Sequence, residues 1–284
     1  MHEPALRAAA FGSDPLPDPA ALRGSGSPRE RLLAAVVLGA QGRYAAAATL
    51  LDVLRQERDP VMASLAASTL ASHRRQLGGH RQARALDGEA FAKAAARTSE
   101  PDPDGLDAAG ARADALLGLA ADNLALGRLG AARRLAARAA AEDDRWRATV
   151  RGGWVGAEIE LAAGQGADAV PHAERARETA RARGAQRHIV KSGIVLAVAL
   201  LAAGEPDHRQ ISDDLVGNAM AQAEECELLS LSWPAALVAA DLRPGHAEEY
   251  RFRLAQVLHA VLRSADPCGR RVAGESPWVP VPGG

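Results

Sequence analysis

One short segment decides how this chain is interpreted: Gly42-Arg43-Tyr44-Ala45-Ala46-Ala47. It separates two stretches whose apolar residues recur at helical spacing. The stretch before it carries Leu32, Leu33, Val36, Val37 and Ala40 on one helix face, and the stretch after it carries Ala47, Leu50, Leu51 and Leu54. Gly42 permits the backbone angles of a tight turn, and Asp59-Pro60 is expected to end the second helix. The segment therefore predicts a helix–turn–helix unit.

The same arrangement recurs along the chain. The turn glycines are Gly42, Gly78, Gly127, Gly164 and Gly204, separated by 36, 49, 37 and 40 residues. The longest gap contains residues 98–105, an insertion expected to be a surface loop. A regular period of helix pairs is typical of an α-solenoid, in which each pair buries its apolar face only against its neighbours. The sequence predicts an all-α fold of about five to six pairs.

The remaining predicted helices follow the same spacing. They cover 64–76, 80–97, 113–126, 129–141, 150–163, a return helix ending near 183, 186–203, about 212–229, 234–241 and 246–264. Residues 1–28, rich in proline, glycine and serine, are expected to form a short helix and a linker, and 29–265 the repeat domain. Residues 266–284 are expected to form a disordered Pro/Gly-rich tail. In the alternatives, this tail with Trp278 docks on a partner or folds back into the chain's own groove.

Composition narrows the class of protein. The chain has 284 residues, 48% of them hydrophobic but only 3% aromatic, so alanine and leucine must build a thin, closely packed helical core. The net charge of −1 gives no basic excess for direct nucleic-acid binding. Cys226 and Cys268 lie far apart, which favours a reducing compartment. The N-terminus has no signal-peptide pattern, and the most apolar window, 194–203, is about half of a membrane span. We expect a cytoplasmic protein with no membrane partner.

The turn segments resemble the tetratricopeptide repeat. A glycine is followed five positions later by an alanine at 42–47, 78–83, 127–132 and 164–169, and Tyr44 follows the first glycine. In that family the first helix ends at a glycine and the second begins near a tyrosine. Later units depart from the pattern, because Leu129 and Gly166 replace the tyrosine and Gly204 lacks the alanine. The resemblance implies antiparallel helix pairs in a right-handed superhelix. Armadillo-like or HEAT-like pairs, with longer units, and a 14-3-3-like helical fold are the alternatives.

The resemblance also implies a concave groove, lined by the first helix of each pair, where peptides dock. The candidate partner-binding residues are Arg75, Asp114, Arg151, Trp154, Glu158 and Lys191. Arginine supplies forked donors and tryptophan a stacking face, so the groove is expected to hold an acidic segment or one that ends in a carboxylate. The Lys and Asn pattern of the family's best-known carboxylate clamp is absent. In the alternative interpretation, Trp154 fills space beside Gly152, Gly153 and Gly156 while the charges are solvated.

No motif predicts catalysis, a cofactor or a metal. Asp102-Pro103-Asp104-Gly105 is similar to the start of a calcium loop but lacks the downstream acidic ligands, so helix-capping aspartates are the better explanation. The eight histidines show no zinc-ligand spacing, and no nucleophile elbow or phosphate-binding glycine loop occurs. The second helices of two units carry seven arginines that are expected to form a solvated outer face: Arg133, Arg134, Arg138, Arg175, Arg177, Arg181 and Arg183.

These observations predict a scaffold or adaptor that binds a partner protein or peptide and is not an enzyme. The alternative is a sensor domain that binds a signalling peptide or small molecule and acts with a bacterial transcription regulator. A self-associating structural protein, such as a homodimer, is a third hypothesis.

Overall fold

The computed structural model describes residues 2–14, 16–17, 22, 26–95 and 97–280, and these residues form helices and connecting turns without a β-strand. The helices are α1 (Glu3–Phe11), α2 (Pro28–Ala40), α3 (Tyr44–Leu54), α4 (Pro60–Gln76), α5 (His80–Ala94), α6 (Ala108–Ala125), α7 (Leu129–Glu142), α8 (Trp146–Ala162), α9 (Gly166–Arg183), α10 (Gln186–Ala203), α11 (His208–Glu225), α12 (Leu229–Leu242), α13 (Ala247–Arg263) and α14 (Pro267–Glu275). The predicted all-α class is confirmed.

The predicted turns are confirmed by their backbone angles. Gly42, Gly78, Gly127, Gly164 and Gly204 all have φ between 73° and 75°, in the left-handed region that favours glycine. Each of these turns follows an even-numbered helix and leads into the next odd-numbered helix, which packs against it. Helix pairs that are neighbours in sequence are therefore neighbours in space.

The prediction for Pro60 was wrong. Asp59-Pro60 was expected to end the second helix, but α3 ends at Leu54 and Pro60 opens α4. The Asp59 side chain accepts a hydrogen bond of 2.9 Å from the Val61 backbone nitrogen. Proline is well placed in the first turn of a helix, where its missing N–H has no partner to lose. α4 is consequently longer than its predicted 64–76.

The helices form two layers that differ in burial. The core helices, which we define as α2, α4, α6, α8, α10 and α12, are buried on several faces. The outer helices, which we define as α3, α5, α7, α9, α11 and α13, bury one stripe each. The stripe of α9 shows the pattern: Ala169, Ala173, Ala176 and Ala180. Alanines at this spacing let the outer helices approach closely, as the composition predicts.

The core helices contact one another in a closed ring. Each contacts the next in order, and α12 also contacts α2. At the same junction the Ala45 backbone nitrogen donates a hydrogen bond of 2.8 Å to the Ser264 carbonyl. The expectation that each pair packs only against its neighbours in sequence is therefore wrong, because the first and last pairs meet. We call the space that the core helices enclose the interior.

Both terminal segments pack onto this ring. The predicted short N-terminal helix is present as α1, which contacts α2 and α10. The predicted disorder of the tail is wrong for Pro267–Glu275, which form α14. Asp266 caps α14 and binds Arg74 at 2.6 Å. Val272 and Val279 are buried, and burial of these apolar side chains explains why this part of the tail is ordered. Residues 281–284 lie outside the described range.

α10 is apolar and long enough to cross a membrane by length and composition alone. The core helix of a globular protein meets the same criteria, and half of this helix is buried inside the protein. It packs against α8, α9, α11 and α12. Its first turns carry Arg187 and Lys191, which are central to the candidate site.

Candidate functional site

All six predicted partner-binding residues lie on core helices. Arg75 is on α4, Asp114 on α6, Arg151, Trp154 and Glu158 on α8, and Lys191 on α10. The spacing of Arg151, Trp154 and Glu158 places them on one face of α8, because three or four residues make one helical turn. The structure shows that several of these side chains already bind one another or other residues of the chain.

Arg75 is neutralised inside the fold. Its Nε atom donates to Asp122 at 2.9 Å, and its guanidinium also binds Asp87. Both carboxylates are fully buried, and Asp87 accepts a further hydrogen bond from Ser68 at 2.9 Å. Asp87 approaches α6 closely at Gly118, where a methyl group would overlap its carboxylate. Arg75 therefore joins α4, α5 and α6, and its charge is not free for a partner.

Arg151 is also paired within the chain. It binds Asp114, which Arg147 approaches from the preceding turn of α8 at 2.7 Å. Arg147 additionally donates to the backbone carbonyls of Asp104 and Gly105, at 2.6 and 3.0 Å. The groove assignment did not include Arg147, although its position one turn before Arg151 was a usable signal. Two cations share one carboxylate here, so positive charge remains in excess.

Trp154 is a buried residue that packs between core helices. Its Nε1 atom donates to the Ser192 hydroxyl at 2.8 Å, and its ring stacks on His188 with 5.6 Å between centroids. The space beside Gly153 and Gly156 is occupied by α9, not by Trp154. That part of the alternative interpretation is therefore wrong. The Lys191 ammonium lies 4.3 Å from the centroid of the Trp154 ring, a cation–π contact.

Two cations on α10 remain without an ion pair. Among the described residues, neither Arg187 nor Lys191 has a carboxylate oxygen within 4.0 Å. Burial and the positive charges of Arg151 and Arg147 lower the pKa of Arg187 to about 10. Burial and Arg151 lower the pKa of Lys191 to about 8, although Glu158 acts in the opposite direction. Both side chains are only partly buried, so solvent reaches them.

The charge of Arg187 reaches residues on several helices of the ring. Its charge acts on Tyr44 and His73, at α3 and α4, and on His188 beside it, while Arg147 and Arg151 of α8 act on Arg187. Arg187 is therefore within electrostatic range of residues on α3, α4 and α8. Arg187 was missed in the groove assignment, but its i, i+4 relation to Lys191 puts both on one face of α10. A search for cations spaced by one turn along this helix would have found it.

His73 and His188 are buried neutral histidines. His73 is 4% exposed and His188 1%, and the Nδ1 atom of each has no hydrogen-bond partner among the described residues. Burial, reinforced by the charge of Arg187, lowers the pKa of His73 to about 3 and that of His188 well below its ordinary value. Buried nitrogen atoms without partners are uncommon in folded proteins, so these two are unusual features of the site.

These histidines predict a loss of stability in mild acid. They stay neutral in the folded state but gain protons below about pH 6.5 when unfolded, so their contribution is present above that pH and is lost as the pH falls. From about pH 7.5 to about pH 5.5, each should reduce the free energy of unfolding by about 1.4 kcal/mol. Urea denaturation at both pH values measures this. The His188→Phe variant should lose about 1.4 kcal/mol less than the wild type, and parallel losses would contradict the assignment.

The aspartates of the 98–105 insertion bind arginines. Asp102 binds Arg7 at 2.9 Å and Arg29 at 2.6 Å, and Asp104 binds Arg7 at 2.6 Å and Arg183 at 3.2 Å. Asp107 caps α6 by accepting a hydrogen bond from the Gly110 backbone nitrogen at 2.9 Å. The sequence predicted that aspartates of residues 102–105 cap a helix, but the capping aspartate lies two residues after that motif. The described residues contain no cluster of metal-ligating side chains.

This network holds α1 across one end of the ring. Phe11, the last residue of α1, contacts Trp146 and Arg147 in the first turn of α8 and His188 in the first turn of α10. Arg7 joins α1 to the insertion through Asp102 and Asp104. The end of the interior at which α8 and α10 begin is therefore covered by the N-terminal helix.

Comparison with known proteins adds no family assignment. No protein-family model matches the chain, and none of the curated proteins is similar to it in sequence. The features that define the candidate site are therefore those of its own residues: a closed ring of core helices, internally paired Arg75 and Arg151, and two cations on α10 that have no carboxylate partner in the part of the chain that the structure describes.

Proposed function

We propose that this chain is an interaction protein that holds an acidic segment of a partner protein against the interior faces of α8 and α10. The observation that carries the proposal is the pair of partly buried cations, Arg187 and Lys191, without an ion pair among the described residues. The proposal includes tetratricopeptide-like antiparallel pairs in a right-handed arrangement. It assigns no catalysis, cofactor, nucleic acid or membrane, and it places the protein in the cytoplasm.

The physical basis is the cost of desolvating a charge. A partly buried cation without a counter-charge is unfavourable, and a carboxylate that reaches it offsets that cost. The lowered pKa values of Arg187 and Lys191 express the same cost. Arginine offers a fork of donors to one carboxylate, while lysine acts as a point charge that tolerates several geometries. Together they favour an acidic side chain or a chain terminus over a neutral segment.

The six residues predicted from sequence have different roles in this proposal. Arg75 and Arg151 shape the interior through their internal ion pairs with Asp122 and Asp114. Trp154 positions Lys191 by the contact with its ring. Glu158 lies near enough to Lys191 to raise its pKa, and we propose that it limits how many acidic groups enter. The partner-binding charge is therefore that of Lys191 and Arg187.

A sensor of small molecules is the second candidate function. The closed ring favours it, because α1 covers one end of the interior and leaves less length for an extended peptide than an open groove would. In this alternative an anionic metabolite or short signalling peptide binds the interior and alters contacts with a transcription regulator. Denaturing the purified protein and identifying released small molecules by mass spectrometry would support this alternative if one anion recurred at a stoichiometric amount.

The main proposal is tested with peptides. Fluorescence anisotropy would compare acidic peptides with matched peptides in which Gln and Asn replace Glu and Asp. We expect the acidic set to bind the wild type and the Lys191→Met variant to bind it about 10-fold more weakly, as for one charge-assisted hydrogen bond of at least about 1.4 kcal/mol. Arg134→Met, which removes an exposed cation from α7, is the matched control and should bind as the wild type does.

Two results would contradict the main proposal. Equal binding of acidic and neutral peptides would show that charge does not select the partner. Equal loss in Lys191→Met and Arg134→Met would show that only the overall charge of the protein matters, because both variants remove one positive charge. Circular dichroism of each variant would confirm that the helices are intact.

A further inference from the structure

The centre of the interior contains an excess of positive charge. Four cations, Arg147, Arg151, Arg187 and Lys191, influence one another there. Three carboxylates act on this group: Asp114, which Arg147 and Arg151 share, Asp87, which is already paired with Arg75, and Glu158, which has no ion pair with Lys191 within 4.0 Å. An uncompensated cation in a partly desolvated site attracts an anion.

The neutral groups around Arg187 do not supply the missing charge. Tyr44 lies within reach of the charge of Arg187, but burial raises its pKa, so it stays protonated, and its hydroxyl donates to Gln76 at 3.0 Å. His73 and His188 stay neutral because their pKa values are lowered. Every group that acts on Arg187 from α3, α4 and α8 is thus a neutral ring or another cation.

The two histidines provide a second, independent observation. Both are more than nine-tenths buried, both lie near Arg187, and the Nδ1 atom of each lacks a hydrogen-bond partner among the described residues. His73 is on α4 and His188 is on α10, so the two nitrogen atoms belong to different core helices. A neutral imidazole can donate one hydrogen bond from a ring nitrogen to an anionic oxygen. Arg187 can donate two such bonds in parallel to one carboxylate or phosphate.

We propose that Arg187, with His73 and His188 beside it, binds one carboxylate or phosphate group at the centre of the ring. This inference rests on the proposed function and deepens it, because it assigns the anchoring group of the bound segment to Arg187. Lys191, one turn further along α10, then meets the next acidic group toward the end of the ring that α1 does not cover. The shared chemistry is a compact oxyanion, supplied either as a free ion or as the end of a bound molecule.

The test uses inorganic phosphate and succinate as probes. Thermal unfolding of the full chain would be followed as each ion is titrated at constant ionic strength, with chloride as the reference ion. We expect a saturable rise in the melting temperature with at least one of the two ions, because a ligand that binds only the folded state stabilises it. Arg187→Met should weaken the apparent affinity for the ion at least about 10-fold. Arg187→Lys should have an affinity between those of the wild type and Arg187→Met, because lysine keeps the charge but not the fork of donors. Arg134→Met should bind the ion as the wild type does.

A direct readout separates binding from general stability. In ¹⁵N-edited spectra of the imidazole rings, the saturating ion should shift the signals of His73 and His188, and these shifts should be absent in Arg187→Met. Saturation by phosphate alone would identify a phosphate site, by succinate alone a carboxylate site, and by both a general oxyanion site. No saturable effect of either ion would overturn the inference, as would unchanged affinity in Arg187→Met.

The outcomes are distinguishable from those of the peptide experiment. If acidic peptides bind with the expected dependence on Lys191 but neither ion binds, the oxyanion site is wrong and the proposed function stands. If the ions bind through Arg187 but acidic peptides do not, the site is correct and the protein partner is replaced by a small anion.

Discussion

Replacing Asp104 with alanine should lower the free energy of unfolding by about 3–5 kcal/mol, as expected when one partner of a buried ion pair is removed. The Asp104 side chain is fully buried. It accepts from Arg7 at 2.6 Å, from Arg183 at 3.2 Å and from the Trp146 indole at 3.0 Å. Alanine would leave three donors from α1, α8 and α9 without this acceptor, and it would remove the buried charge that joins these helices.

Urea denaturation followed by circular dichroism would measure this change. Asp52→Ala is the matched control, because Asp52 is 57% exposed and, among the described residues, its one ion pair is with Arg55, which follows the end of the same helix. Its loss should be within about 0.5 kcal/mol. Asp104→Asn keeps the shape of the side chain but removes its charge, so its loss of unfolding free energy should lie between those of Asp104→Ala and Asp52→Ala. A loss for Asp104→Ala no larger than that of the control would show that the insertion does not anchor α1.

Replacing Phe11 with alanine should cost about 3–5 kcal/mol, the usual range for deleting a buried aromatic ring. Phe11 is buried where α1 meets the ring, with its centroid 6.2 Å from that of Trp146 and 6.4 Å from that of His188. The Arg147 guanidinium lies 5.4 Å from the Phe11 centroid. The cavity would lie directly beside the proposed site, so α1 should detach more readily and expose His188.

Limited proteolysis and urea denaturation together would test the role of Phe11. We expect faster cleavage between residues 12 and 27 in Phe11→Ala than in the wild type. Leu16→Ala is the control, since Leu16 is an exposed apolar residue near the same helix. The double variant Phe11→Ala, Asp104→Ala should lose less than the sum of the single variants, because either change releases the same helix. Strict additivity, or unchanged cleavage, would argue against α1 as a cover.

The local structure follows closely from local sequence. The five turn glycines and the bounds of α10 agree with the predictions, because backbone angles and helical periodicity depend on residues close in the chain. The wrong prediction at Pro60 also came from considering the local sequence. A proline signals a helix boundary, but whether it ends one helix or begins the next depends on the capping residue before it.

The candidate site was only partly predictable. Counting along the helices placed Arg151, Trp154 and Lys191 near one another, and the structure brings them together. The same counting gave no means of knowing that Asp122 and Asp114 neutralise Arg75 and Arg151. Arg187 was missed because a cation gains significance only when its neighbours lack a counter-charge.

By itself the sequence determined the all-helical class, the positions of the turns and the alternation of core and outer helices, since these are set by contacts between near neighbours along the chain. Tertiary structure alone decided that α2 meets α12, that α1 covers one end of the ring, and that no carboxylate of the described residues pairs with Arg187. The physical reason is distance along the chain. Ion pairs and packing between residues separated by scores of positions depend on the closure of the whole ring, which no local pattern encodes.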